Sequence, residues 1–299
     1  MRRRPPRSTL DRSSAASDVY KRQDEGVDRA RCVTTLDAAV RHVERGGGEI
    51  EERIFAALGA FRDQDAGLIA ERAARIPLQH LTGRAHFRHR TLAVGPGVFI
   101  PRPETETLVS YAVAAVRDSG VDTPAVIDLC TGSGAVAFAV KAEVPSAAVY
   151  AVELDPLAHG WAIANRERLG LDVEIWLGDA RTAYEELLGL VDVVTCNPPY
   201  IPATDPHLRQ GDLPREPLSA LASGADGLDA LRQITCQATT CLKPGGLLAL
   251  EHGFDQDAAV RTLLAVAGFE RLETRPDLPG NPPATPGYRS DSSRHHSPG

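Results

Sequence analysis

The stretch VDVVTCNPPY, at 191–200, begins as a buried strand and ends on residues that could hold an amide group. Asn197 precedes proline, which keeps it out of the α region and directs its side chain off the strand end. Pro198 and Pro199 have no N–H, so residues 197–200, here called the NPPY lip, offer oxygen acceptors without competing donors from these two prolines. Tyr200 adds a flat face for a planar group. These residue types could grip a ligand NH₂ group by both of its hydrogens.

Such a grip would serve chemistry at an amide nitrogen. This nitrogen is a weak nucleophile because its lone pair is delocalised into the carbonyl. Fixing both hydrogens aims the lone pair at an electrophile and favours a pyramidal nitrogen in the transition state. Positioning of this kind can lower a barrier by up to about 7–11 kcal/mol. The pattern therefore predicts group transfer to a planar nitrogen, without a metal or a strong base.

A glycine-containing turn follows another apolar strand, in DLCTGSGAVAFA. Gly132 and Gly134 predict a tight turn that lets a ligand approach the backbone, although many strand-to-helix turns share this pattern. The candidate cofactor-binding residues of the turn are Cys130, Thr131, Gly132, Ser133 and Gly134.

Acidic residues follow the next two apolar segments. Glu153, in AVELD, lies 21 residues beyond Gly132, where an acid can accept both ribose hydroxyls. Asp179, in LGDA, is a candidate partner for an adenine amine, with Ala180 beside it. A glycine turn and two acids predict a nucleoside pocket that would suit NAD or S-adenosyl-L-methionine (SAM). The NPPY lip favours SAM.

The elements that must position these residues alternate between strand and helix. AVIDL, AVYAVEL, VEIWLGD and VDVVTC are short apolar runs separated by helical segments. This alternation predicts an α/β fold with a parallel sheet covered on both faces. Ligands of such sheets bind outside the carboxyl ends of the strands, which is where every candidate residue falls.

Composition sets limits on the class of protein. The chain has 299 residues, 42% hydrophobic, with a net charge of -7. The chain has no apolar run near the about 18 residues that a membrane span needs, and its basic start lacks the apolar core of a secretory signal. Five cysteines without a CxxC pair indicate neither a zinc site nor a disulfide framework. We therefore expect a reduced, cytoplasmic protein that binds no metal, membrane or nucleic acid directly, and a monomer.

The motifs together resemble a known family. DLCTGSGA with NPPY is similar to SAM-dependent methyltransferases that act on planar nitrogens. PLQHLTGRAHF, GVFIPRPETETLV, REPLSAL and LKPGGLLALEHG narrow the resemblance to release factor glutamine N(5)-methyltransferases, over residues 76–280. The resemblance implies a Rossmann-like methyltransferase sheet with a small N-terminal helical domain and a hairpin linker.

The resemblance also implies the reaction and its residues. The family methylates the glutamine of the Gly-Gly-Gln loop in class 1 peptide chain release factors, which would be the protein partners. Carried over by motif, Cys130 to Gly134 and Glu153 bind SAM. The catalytic and substrate-binding residues are Asn197, Pro198, Pro199 and Tyr200, of which Asn197 also touches SAM.

Some positions depart from the family pattern. Cys130 stands where the family has a glycine, Glu153 replaces an aspartate, and Ala180 stands where some members have a tryptophan. The ending DLPGNPPATPGYRS lacks the strand-like character usual in the family.

The patterns divide the chain into five parts. The basic, Ser/Arg-rich start predicts a disordered leader that resembles non-native adapter sequence. The alternative is a basic tail that binds a partner. The predicted parts are a leader at 1–25, a helical domain at 26–83, a hairpin linker at 84–99, the methyltransferase domain at 100–280 and a flexible tail at 281–299.

Three other functions stay open at this point. A DNA adenine methyltransferase also uses NPPY, but it needs a basic cleft and a target-recognition domain. A ribosomal protein glutamine methyltransferase is a related enzyme that, by resemblance, lacks the PRPETE form. A degenerate SAM-binding interaction module would need no intact NPPY.

Overall fold

The computed structural model describes residues 63–182, 185–272, 274 and 284–290. The predicted leader and most of the predicted helical domain lie outside these residues. The helices described are α1 (Asp63–Ala73), α2 (Leu78–Thr82), α3 (Glu106–Ser119), α4 (Ala135–Glu143), α5 (Pro156–Leu169), α6 (Asp229–Cys241) and α7 (Asp257–Val266). None of them is long and apolar enough to cross a membrane.

The strands form a hairpin and a larger sheet. In the hairpin, β1 (Arg84–Phe87) pairs antiparallel with β2 (Arg90–Ala93). The larger sheet contains β3 (Ala125–Leu129), β4 (Ala148–Glu153), β5 (Val173–Leu177), β6 (Val191–Cys196), β7 (Leu242–Glu251), β8 (Phe269–Glu270) and β9 (Ala284–Arg289). Its order is β5-β4-β3-β6-β7-β9-β8, parallel from β5 to β7, with β9 antiparallel to both neighbours. The predicted α/β sheet is confirmed.

The order of the strands reverses beside β3. The chain moves outward through β4 and β5, then returns to place β6 and β7 on the other side of β3. Leu129, at the end of β3, pairs with Val152 of β4 and with Cys196 of β6. The residues that follow these three strands therefore meet at one edge, which is the usual ligand-binding crevice of such a sheet.

Both faces of the sheet are buried. Val126 of β3 packs with Val109 of α3 and Phe138 of α4 in one apolar cluster. The next residue, Ile127, packs with Ile234 of α6 in a second cluster on the other face. Because successive side chains of a strand point to opposite faces, a strand that is apolar throughout requires helices on both. This explains the continuous apolar runs in the sequence.

Helix α5 fastens the hairpin to the sheet through one buried amide. Asn165 Oδ1 accepts a hydrogen bond from the Ala93 N–H at 2.7 Å, and its Nδ2 donates to the Ala93 carbonyl at 2.9 Å. The same Nδ2 donates to the carbonyl of Ser133 at 3.1 Å. A fully buried amide needs such partners. Asn165 therefore joins the hairpin to the glycine turn after β3.

The flexible tail predicted for 281–299 is wrong over Ala284–Arg289, which form β9 between β7 and β8. Pro286 and Gly287 indicated a loop in the sequence, since proline and glycine are disfavoured inside central strands. In the described part of the chain, however, β8 pairs only with the last two residues of β9, which leaves one side of the strand open near Pro286. A Cβ on Gly287 would lie 2.9 Å from Leu272 Cδ2, so glycine lets the Leu272 side chain pack closely against β9.

Candidate active site

The turn between β3 and α4 begins at Cys130, whose φ is +57°. Residues other than glycine adopt this left-handed conformation at a cost of roughly 1–2 kcal/mol. Neighbouring bonds hold the turn: the Thr131 N–H donates to the Val152 carbonyl, and the Gly134 N–H donates to the Thr131 carbonyl, both at 2.9 Å. The glycine conformation expected from the family pattern is therefore kept although the residue is cysteine.

The two glycines of the turn have different roles. Gly134 has φ +86°, and a Cβ there would lie 2.1 Å from Phe138 Cε2, so packing of α4 requires this glycine. Gly132 has φ +57°, and a Cβ there would meet nothing within 4 Å, because the residue faces the cavity described below. Only Gly132 keeps space open for a ligand.

Glu153 ends β4 and reaches across to the glycine turn. Its Oε2 accepts the Gly132 N–H and its Oε1 accepts the Asp155 N–H, each at 2.8 Å. Burial raises the pKa of Glu153, and these backbone bonds oppose the shift. Each carboxylate oxygen has two lone pairs, so each can accept one further hydrogen bond. The acid is held rigidly with acceptor capacity to spare.

Asp128 lines the same cavity and was missed by the sequence analysis. It lies inside β3, where its Oδ2 accepts the Thr131 hydroxyl at 2.6 Å and its Oδ1 accepts the Thr195 hydroxyl at 2.7 Å. Burial raises its pKa to about 6. The sequence feature that could have indicated Asp128 is an acid inside the apolar run AVIDL, because a buried carboxyl requires specific partners.

Asp179 and Ala180 follow β5 and line the cavity. The Asp179 carboxylate accepts the backbone N–H of Arg181 and its Nε, both to Oδ1 at 2.9 Å. The side chain of Arg181, bonded in this way, lowers the pKa of Asp179. Ala180 is buried against the second apolar cluster. The position of Asp179 suits the predicted adenine contact, but Arg181 shares its carboxylate.

Asn197 leaves the end of β6 and lines the cavity. Its Nδ2 donates to Thr105 Oγ1 at 3.1 Å, which leaves Oδ1 as the acceptor on the other side of the amide. Pro199 lines the cavity beside it, whereas Pro198 and Tyr200 do not. Thr105, which directly precedes α3, also lines the cavity and was not predicted.

Tyr200 turns away from the cavity and joins a polar cluster behind the NPPY lip. Its hydroxyl donates to Glu251 Oε1 at 3.3 Å, and its carbonyl accepts Gln256 Nε2 at 2.9 Å. Gly227 packs against the same carbonyl, since a Cβ there would lie 2.2 Å from that oxygen. The lip is therefore braced by Glu251 at the end of β7, by Gln256 immediately before α7 and by Gly227.

One rim of the cavity comes from the segment before α3. Phe99 and Pro101 line the cavity there. Arg102 lies over the Phe99 ring at 5.0 Å from its centroid and pairs with the buried carboxylate of Glu216. Glu216 Oε2 also accepts the Ile100 N–H at 2.9 Å. The ion pair thus joins the IPRPE segment to the REPLSAL segment, two motifs that lie far apart in the sequence.

The cavity has a volume of about 460 Å³. The predicted site residues that line it are Cys130, Thr131, Gly132, Ser133, Glu153, Asp179, Ala180, Asn197 and Pro199. Three predicted residues lie outside the lining: Gly134, Pro198 and Tyr200. The structure therefore brings residues from four strand ends into one cavity.

The residues present fit SAM. Gly132 leaves space that a side chain would fill, and the rigidly held carboxylate of Glu153 suits a ribose diol. Asp128 and Glu153 place two acids near each other, which suits a ligand carrying cationic groups. Asp179 and Asn197 both line the cavity and follow β5 and β6, which β4 and β3 separate in the sheet. Such a separation would suit a nucleoside near one residue and a small amide near the other.

Comparisons with known proteins point to methyltransferases. The model of the methyltransferase small domain matches residues 106–209. The crystal structure of the hMettl16 catalytic domain in complex with MAT2A 3'UTR hairpin 6 has a similar fold, with a TM-score of 0.53. It covers 80% of this chain and 85% of that one at 14% sequence identity, so the likeness concerns the fold alone.

Relatives of known name are much more similar in sequence. A protein of Streptomyces coelicolor named release factor glutamine methyltransferase is 46% identical, over 72% of this chain and 76% of the relative. A protein of the same name from Xylella fastidiosa is 47% identical, over 71% and 76%. One from Mycolicibacterium smegmatis is 44% identical, over 76% and 78%.

Proposed function

We infer the activity from the family: the chain belongs to the release factor glutamine methyltransferases. We propose that it methylates the side-chain amide nitrogen of a glutamine in peptide chain release factors. The methyl donor is SAM, which supplies an electrophilic methyl group when it is bound. The observation that carries the proposal is the Asn197 amide at the cavity, whose Nδ2 is engaged by Thr105 and whose Oδ1 remains as an acceptor.

The cofactor half of the site is assigned to the ends of β3, β4 and β5. Glu153 would accept the ribose hydroxyls, since each of its oxygens keeps a free lone pair beside its backbone bond. Gly132 would allow the backbone of the turn, Cys130 to Gly134, to approach the ligand. Asp179 and Ala180 would contact the adenine.

The substrate half is assigned to the NPPY lip. Asn197 Oδ1 and a neighbouring main-chain carbonyl would accept the two hydrogens of the glutamine NH₂. The backbone of the lip is restricted by Pro198 and Pro199, and Gln256 Nε2 braces it by donating to the Tyr200 carbonyl. Held in this way, the nitrogen would keep its lone pair directed at the methyl group that SAM supplies. As the N–C bond formed, the bond between the methyl carbon and the sulfonium sulfur would break and leave a neutral thioether, and one N–H proton would pass to water. Tyr200 would shape the lip from behind rather than contact the cavity.

The rim suits a glycine-containing loop. Phe99, Pro101 and Pro217 give it an apolar surface. Glycine has no Cβ, so a Gly-Gly-Gln loop could pass this rim and extend its glutamine to the Asn197 lip. Class 1 release factors, which carry this loop, are therefore the substrates we propose.

Transfer of labelled methyl from SAM to a purified class 1 release factor tests the proposal. We expect one methyl group per factor, mapped by mass spectrometry to the glutamine of the Gly-Gly-Gln loop. A factor with asparagine in that position should stay unlabelled, because the shorter side chain cannot reach the same point. Label on a ribosomal protein or on adenine in duplex DNA, with the release factor unlabelled, would overturn the proposal.

A further inference from the structure

The buried carboxyl of Glu251 lies directly behind the NPPY lip and has no role in the chemistry above. We propose that Glu251 is a positioning residue, whose carboxylate keeps the Asn197 amide with Nδ2 turned inward and Oδ1 turned toward the substrate. This inference rests on the proposed function, because it concerns the orientation of the acceptor on which that function depends.

The geometry places Glu251 where it can act on the amide. Cys196 pairs with Leu250 between β6 and β7, so the next residues, Asn197 and Glu251, are neighbours at the edge of the sheet. Glu251 is 3% exposed, and its Oε1 accepts the Tyr200 hydroxyl at 3.3 Å. Its Oε2 is buried without a hydrogen-bond partner of good geometry among the described residues. A buried carboxylate oxygen in this condition attracts any N–H or O–H dipole beside it.

The charge fixes the direction of the neighbouring dipoles. An ionised carboxylate only accepts hydrogen bonds, so a nearby hydroxyl or amide turns its hydrogens toward it. Thr105 Oγ1 accepts from Asn197 Nδ2, which leaves the Thr105 hydroxyl proton free to face the carboxylate. The two ends of an asparagine amide have nearly the same shape, so packing alone selects between them only weakly. The negative charge of Glu251 favours the orientation in which Asn197 Nδ2 points inward and Oδ1 points toward the substrate.

The charge of Glu251 is itself adjustable. Burial raises the pKa of Glu251 to about 7, while the polar side chains of Thr105, Tyr200 and Asn197 lower it. The charge of Glu104, two residues before α3, raises it further. Once protonated, Glu251 can donate a hydrogen bond, and Asn197 then loses the preference for turning Nδ2 inward.

Other ionisable groups face the same point from neighbouring elements. Burial raises the pKa of Cys196 and of Tyr200, so both stay protonated near neutral pH. The positive charge of Arg102 lowers the pKa of Tyr200. Asp128, whose pKa burial raises to about 6, acts on Cys196 from β3. Glu251 is the group behind the NPPY lip whose pKa lies at about 7, and the charge of Glu104 raises that pKa.

The variant Glu251→Gln tests the proposal, since it keeps the shape and removes the charge. We expect turnover to fall roughly 10- to 100-fold, the usual effect of losing precise positioning, with SAM affinity unchanged. In the wild type, turnover should rise with pH through about 7. The variant should lack this rise. Glu104→Gln is the matched control: it removes a nearby charge but leaves Glu251, so the rise should persist and move to lower pH.

A second readout does not depend on the substrate. The side-chain ¹⁵N–¹H signals of Asn197, assigned by their loss in Asn197→Ala, should shift with pH in the wild type and stay constant in Glu251→Gln. Identical pH behaviour in both proteins would overturn the positioning role, as would unchanged turnover in the variant. If the NMR signals behave as expected while no release factor is labelled, the positioning role stands and the proposed function fails.

Discussion

The backbone N–H of Gly132 donates to Glu153 Oε2 at 2.8 Å, so the glycine turn after β3 and the acid after β4 form one rigid unit. In the sequence they are separate motifs, 21 residues apart. The bond fixes the carboxylate before a ligand arrives, and a preorganised acceptor costs less ordering entropy on binding. The cofactor half of the site therefore depends on the contact between the two motifs as well as on each residue.

Glu153→Ala should weaken SAM binding by about 1.5–3 kcal/mol, because it removes a charged acceptor and releases the Gly132 turn. Calorimetry with SAM measures the loss. Asp172→Ala is a matched control, since Asp172 is exposed at the opposite end of β5 and its loss should not change the affinity. NAD should not bind the wild type, and NAD binding as tight as that of SAM would contradict the cofactor assignment.

Gly132→Ala and Gly134→Ala should have different effects. Both place alanine at positive φ, which costs about 1–2 kcal/mol of the free energy of unfolding. Gly134→Ala also forces a Cβ against Phe138, which should lower the free energy of unfolding by about 1–3 kcal/mol more. Gly132→Ala should instead weaken SAM binding, because its methyl group enters the cavity. Urea unfolding and SAM calorimetry of the two variants check this, and equal effects on both quantities would refute the division of roles.

Asn197→Ala should reduce turnover by roughly 10²–10³, as expected for loss of one positioned hydrogen bond in the transition state. SAM binding should remain largely intact, since the glycine turn and Glu153 are unchanged. Single-turnover methylation of a release factor, combined with SAM calorimetry on the same protein, separates the two quantities. A parallel loss of SAM affinity and turnover would mean that Asn197 serves the cofactor rather than the amide.

The contribution of Glu251 to the free energy of unfolding should fall as pH rises toward neutral. Glu251 has a folded-state pKa of about 7 against an ordinary value of 4.5, so between these values the folded state binds more protons than the unfolded state. Its contribution is thus greatest below pH 4.5 and is lost as pH rises through about 7. Glu251→Gln should remove about 3 kcal/mol of this dependence.

Urea unfolding of the wild type and of Glu251→Gln at pH 5, 6, 7 and 8 measures that difference. Asp128 is also a buried acid with a raised pKa, but it is present in both proteins, so the comparison isolates Glu251. Parallel stability curves over this range would show that Glu251 does not titrate as stated.

The sequence by itself determined the fold class and most of the cavity. Continuous apolar runs require a sheet buried on both faces, and parallel strands bring their carboxyl ends to one edge, so a residue such as Glu153 or Asn197 could be placed there without coordinates. Left-handed glycines and prolines act locally, which is why the turn at Gly132 and the lip at Asn197 could be identified from a few letters.

Only the tertiary structure decided which residues meet across elements. The pairing of β9 with β7 joins segments distant in the chain, so Pro286 and Gly287, which locally indicate a loop, lie in a strand because a neighbouring strand supplies the hydrogen bonds. Likewise, nothing in NPPY indicates that Thr105 orients Asn197 or that Glu251 lies behind it. Residue types and local spacing determine backbone shape, whereas the partners and charge of a buried side chain depend on packing between elements remote in sequence.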